Sequence, residues 1–247
     1  MEEQKKERLM LLGVPVDIFA SQQLFREYIL SLVTNGKSNQ IVFLTYSLLM
    51  KAQRNPVIMQ IFHDAALVLP AEPSIIKGLN FVYRNHYKAV IPADVIISML
   101  SSLEELPNKS VYLLGGSKKV VTTTYHNLKG SYPRLLFVGY HQGSMKGDQE
   151  QDVIEAIRKA SPSILIISKG IKKREQWMYL HRGEFKPGLT LYCRECFDVF
   201  CGKKKRPAER ELQNKGGMRI SRLLHYPVYG LKLIGNRWKL KRAGTYE

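Results

Sequence analysis

A chain of 247 residues, 45% of them hydrophobic, can bury one large α/β core or a core with an appendage. It has no run of about 18 apolar residues, which excludes a spanning helix. The net charge is +17, and between Lys203 and Arg242 thirteen Lys/Arg stand against two Glu, a block suited to anionic lipid, phosphate or nucleic acid, or else to a solvated surface.

The opening MEEQKKERLMLLG mixes acids and bases ahead of a short strand. That is unlike a secretory leader and predicts a cytoplasmic chain. Residues 9–12 and 16–19 flank Gly13-Val14-Pro15 and predict a small hairpin. Leu24, Phe25, Tyr28, Ile29, Leu32 and Val33 form a helical stripe, with Ser21 as its cap and Gly36 as its stop. Short apolar runs at 41–45, 66–69, 111–114, 135–139, 164–168 and 189–193 read as strands. Several are apolar throughout, as strands covered on both faces are. Val153, Ile154 and Ile157 mark a helix between the runs 135–139 and 164–168. This alternation predicts an α/β fold, a mostly parallel sheet flanked by helices.

The composition changes near Gly202. We therefore divide the chain into an α/β domain at 1–202 and a basic helical C-terminal appendage at 203–247. In the appendage Ile220, Leu223 and Leu224 give one segment an apolar side. Val228, Leu231, Leu233, Ile234 and Trp238 give a second segment another. Apolar stripes edged with Lys and Arg suit an interfacial helix. They suit equally a tail folded back on its own domain.

Cys193, Cys196 and Cys201 are the three cysteines. An odd number in a cytosolic chain does not make a disulfide framework. The C-x-x-C pair has no second pair and no nearby histidine, so no metal site is expected. Small core or loop residues are the plainer reading.

Three segments end predicted strands. They are Val111-Tyr112-Leu113-Leu114-Gly115-Gly116, the run GIKKREQW from Gly170 to Trp177, and Cys196-Phe197-Asp198. With Gly13-Val14-Pro15-Val16-Asp17, Asn55-Pro56 and Leu69-Pro70, their order resembles the WecG/TagA/CpsF glycosyltransferase family over nearly the whole chain. The resemblance implies a Rossmann-like fold. It implies transfer of an N-acetylhexosamine-type sugar from a UDP donor to a polyprenyl-diphosphate-linked acceptor. That reaction takes place at the inner face of the plasma membrane, with no metal and no cofactor. Gly115, Gly116, Gly170, Lys173, Glu175 and Asp198 then fall at donor-binding positions. Arg222, Arg219 and Arg237 fall at positions facing diphosphate or the membrane. Read without the family, Gly115-Gly116 is either a close approach for phosphate or a tight strand-to-helix turn.

The pattern breaks where chemistry is expected. After L-P the family places an Asp, its proposed general base. Here Ala71 holds that place, with Glu72 next. A base must come within about 2.6–3.2 Å of its proton. Thr45 and Glu72 are the candidates if activity survives. Ser47 replaces an amide, and Arg194 and Glu195 replace a glycine pair, either blocking the donor pocket or contacting diphosphate. The sequence thus predicts a scaffold kept and a chemistry impaired. Such a pseudoenzyme binds a nucleotide, a lipid, a membrane or a protein partner. The alternative is an active transferase with a rearranged site. No helix-turn-helix, ribonucleoprotein or zinc-finger signature supports nucleic acid.

Overall fold

A computed structural model describes residues 6–145, 149–185, 188–206 and 226–242. Strands β1 (Lys6–Leu11) and β2 (Val14–Phe19) form the expected antiparallel hairpin. Its turn places Leu12 and Gly13 at positive φ. Buried Asp17 ties the hairpin to the body. Its Oδ2 accepts the Val68 N–H at 2.8 Å, and Lys6 and Arg8 stand 3.1 and 3.5 Å from its Oδ1.

Six strands follow: β3 (Asn39–Leu44), β4 (Leu67–Pro70), β5 (Ser110–Leu114), β6 (Leu136–His141), β7 (Ile164–Ile167) and β8 (Leu189–Tyr192). All pairings among them are parallel, in the order β4-β3-β8-β7-β5-β6. Every strand predicted from an apolar run is present, with ends displaced by a residue or two. Side chains alternate across the sheet, because strand periodicity is two. Ile41, Phe43, Leu67 and Leu69 enter one core, while Val42, Leu44 and Val68 enter the other.

Helices connect the strands. α1 (Gln22–Thr34) is capped by the Ser21 hydroxyl, as predicted. α2 (Tyr46–Ala52) is capped by Thr45, and α3 (Pro56–Asp64) by Asn55. α4 (Pro73–Tyr83) and α5 (Pro92–Glu104) each begin on proline, whose missing N–H costs nothing there. α6 (Lys118–Ser131) is capped by Ser117. α7 (Gln149–Ala160), α8 (Arg174–Leu180) and α9 (Cys196–Phe200) complete the layers.

The basic C-terminal segment forms α10 (Tyr226–Arg242) and lies on α4. Its apolar side differs from the stripe expected. Leu233 and Tyr229 are buried, whereas Val228, Leu231, Ile234 and Trp238 remain exposed. Tyr229 and Leu233 are one helical turn apart and sit over Gly78, where the absent side chain leaves room. The helix is thus both folded back and half uncovered. The segment around Ile220, Leu223 and Leu224 lies outside the described residues.

Candidate functional site

All six strands run the same way, so their C-terminal ends meet at one edge, where open parallel sheets bind ligands. Two groups of predicted residues assemble there. One lies beyond β5, β7 and β8, the other beyond β3 and β4.

In the first group the loops touch through glycine. A side chain on Gly143 would put its Cβ 2.2 Å from the Lys169 carbonyl oxygen. One on Gly115 would meet Ser168 backbone at 2.8 Å, and one on Gly170 would meet Gly143 at 2.7 Å. Gly115, Gly116 and Gly170 also take positive φ. The amides of Gly115, Gly116 and Gly143 are occupied. Gly115 N–H donates to His141 O at 2.9 Å, Gly116 N–H to Lys169 O at 2.6 Å, and Gly143 N–H to Gly116 O at 2.9 Å. These glycines therefore lock three loops together.

Lys169 was not singled out from the sequence. It follows β7, and its ammonium forms an ion pair with Asp198 Oδ2. Asp198 is buried on α9. A lysine directly after an apolar strand was the signal that could have found it. Lys173 is exposed at the start of α8 with φ of 43°. Glu175 lies 3.1 Å from Arg174 Nε, and the Arg174 guanidinium stacks 4.2 Å over the Tyr192 ring. Burial pushes the Tyr192 phenol up to about 12. Trp177 is buried and donates to Glu150 at 2.6 Å.

Arg194 and Glu195 are both exposed. The Arg194 carbonyl accepts the Ser168 hydroxyl at 3.2 Å, and Glu195 pairs with Lys204 at 2.9 Å. Cys196 donates its thiol to the Cys193 carbonyl. A hydrogen bond from that thiol lowers the Cys193 pKa, while burial raises that of Cys196. Among the described residues no group of three His, Cys, Asp or Glu could hold a metal ion.

The second group lies beyond the neighbouring strands. Ala71 packs partly buried against the core, and its N–H donates to Leu44 O at 3.0 Å. Glu72 turns across to β3. Its Oε2 accepts the Tyr46 N–H at 2.9 Å and the Ser74 hydroxyl at 3.4 Å. The Thr45 hydroxyl accepts the Leu48 N–H at 3.3 Å, the work of a helix cap.

A cleft of about 630 Å³ opens beside Pro70, with Phe19, Tyr87, Lys88 and Asp94 among its walls. Asp94 opens α5 and pairs with Arg206 at 2.5 Å. Sequence periodicity gave no sign of this cleft, because its walls come from distant elements. Arg237 sits on α10, 5.5 Å over the Phe81 ring. Arg219 and Arg222 lie outside the described residues.

The Glycosyl transferase WecG/TagA/CpsF family pattern matches residues 9–231. One curated relative is the N-acetylglucosaminyldiphosphoundecaprenol N-acetyl-beta-D-mannosaminyltransferase of Bacillus spizizenii. It is 23% identical over 156 residues, 63% of this chain. The match spans 60% of that relative's length.

Proposed function

The chain belongs to the WecG/TagA/CpsF glycosyltransferase family, and we propose that it is a catalytically impaired member that acts by binding. One observation carries this reading. Where a proton acceptor is needed, Ala71 offers a methyl group packed on the core, and the adjacent Glu72 carboxylate caps α2. Loss of a positioned base removes about 10²–10⁴-fold in rate. In the cleft beside Pro70 the Asp94 carboxylate is paired with Arg206, and in the neighbouring group Asp198 pairs with Lys169, Glu175 with Arg174 and Glu195 with Lys204.

The ligand classes follow from family and relative. They are a UDP-sugar at the β5, β7 and β8 ends, and an undecaprenyl-diphosphate-linked sugar reaching in from the membrane. The exposed side of α10 supplies the membrane contact, at the cytoplasmic face, and a protein partner is a further occupant. In a bacterial cell such a protein would serve envelope polysaccharide assembly.

A second reading has one observation in its favour. Glu72 Oε2 lies at the Tyr46 amide, between Thr45 and Ser47, so a carboxylate does reach the shared mouth of β3 and β4. On that reading Glu72 is the base of an active transferase. Calorimetric titration with UDP and UDP-N-acetylhexosamines, beside a transfer assay on lipid-linked acceptor, tests both. Binding without transfer supports the impaired member; turnover supports the second reading.

A further inference from the structure

Four contacts close a ring where α2, α4 and α10 meet. Glu72 Oε2 accepts the Tyr46 N–H at 2.9 Å. The Ser74 hydroxyl donates to the same oxygen at 3.4 Å. The Ser74 carbonyl accepts the Tyr229 hydroxyl at 3.2 Å. The Tyr229 ring meets the Tyr46 ring edge-on, with centroids 5.2 Å apart and planes at 86°. Tyr46 and Ser74, which hold Glu72 among the described residues, are thus each held by Tyr229. Tyr46 and Tyr229 are 6% and 3% exposed, so neither ring has room to swing away.

Local sequence prepares this seat. A Cβ on Gly78 would stand 2.3 Å from the Tyr229 hydroxyl oxygen, so a bare α4 backbone lets α10 approach. Leu233, one turn on, packs beside it. A glutamate has three rotatable bonds, and fixing them costs entropy. The amide and hydroxyl that fix them here belong to two residues that a third helix holds elsewhere, at the Tyr46 ring and the Ser74 carbonyl.

We infer that Tyr229 is a positioning residue for Glu72. Seating α10 on α4 fixes the carboxylate at the end of β4 on the Tyr46 amide. Unseating α10 releases the first turn of α2 and the carboxylate together. The basic helix and the acid beside Ala71 are thereby parts of one mechanical unit. This deepens the reading above without depending on it, since the coupling is the same whether or not sugar is transferred.

The test is the amide-proton shift of Tyr46 in the full chain, read by ¹H–¹⁵N NMR. Glu72→Ala gives the shift of an amide without its carboxylate. Tyr229→Ala is expected to move the Tyr46 proton most of the way to that value. Tyr229→Phe keeps the ring and is expected to stay near wild type. In the Glu72→Ala background, Tyr229→Ala is expected to add little, which separates loss of the hydrogen bond from the magnetic effect of the ring. An unmoved Tyr46 proton in Tyr229→Ala overturns the inference. So does an equal displacement in both backgrounds. If Tyr229→Ala does not fold, Tyr229→Leu, which keeps apolar volume without a ring, is read against the same two values.

Discussion

The Lys169 ammonium and the Asp198 carboxylate form an ion pair across the ends of β7 and α9. The acid is buried and the base half exposed. Removing the base strands a buried charge, so Lys169→Met should cost about 1–3 kcal/mol. Asp198→Asn should cost less, and the double variant less than the sum. Urea denaturation of the four proteins measures this. A Lys169→Met midpoint equal to wild type would remove the pair's structural role.

The glycine lock makes a second prediction. Gly143→Ala drives a methyl group into the Lys169 carbonyl, and Gly170→Ala adds strain at φ of 111°. Each should destabilise by about 2 kcal/mol or more. Gly130 lies in α6 with nothing within 4 Å of an added Cβ. Gly130→Ala should therefore stabilise by about 0.5–1 kcal/mol. Thermal melts that rank all three alike would contradict the lock.

Alkaline pH reports on Tyr192. Its folded-state pKa is raised to about 12, chiefly by burial, with Arg174 opposing. In the unfolded chain a tyrosine ionises at about 10. The stability gained by keeping the phenol protonated is complete below that value and is lost as pH climbs towards 12. Tyr83, Tyr87 and Tyr112 are raised in the same direction by burial. Tm should hold up to about pH 10 and then fall. Tyr192→Phe should fall less steeply, and identical slopes would show that Tyr192 ionises no later than an exposed tyrosine.

The uncovered side of α10 is expected to meet an anionic membrane. Leu231 and Trp238 are 70% and 64% exposed. The helix carries Lys232, Arg237, Lys239, Lys241 and Arg242 and no acid. Flotation with anionic vesicles should be strong at low salt and weaken at 0.15 M, where the screening length is about 8 Å. Leu231→Ser with Trp238→Ser should weaken it about tenfold or more, through lost apolar burial. Equal flotation with neutral vesicles would dismiss the electrostatic part.

The sheet was legible because its strands are apolar on both faces and short. Val111-Tyr112-Leu113-Leu114 and Ile164-Leu165-Ile166-Ile167 admit little else. Cap residues were legible too, Ser21 above all. α4 and α5 were not singled out, although Ile75, Ile76 and Leu79, and Ile96, Met99 and Leu100, each fall on one buried face at helical spacing. In α10 four of the five stripe residues, Val228, Leu231, Ile234 and Trp238, stay uncovered. Burial there follows the vacancy at Gly78 on another helix, which periodicity within 226–242 does not encode. The glycines and the missing acid could be read in sequence. The Lys169 pair and the turn of Glu72 onto Tyr46 could not, because each joins residues that only the fold brings together.

Transfer to a lipid-linked acceptor, measured for wild type, Ala71→Asp and Glu72→Gln side by side, tests the central claim most directly. Wild type and Glu72→Gln should both stay at background, and Ala71→Asp, with an acceptor restored at the end of β4, should gain turnover. Turnover by the wild type that vanishes in Glu72→Gln would contradict the claim.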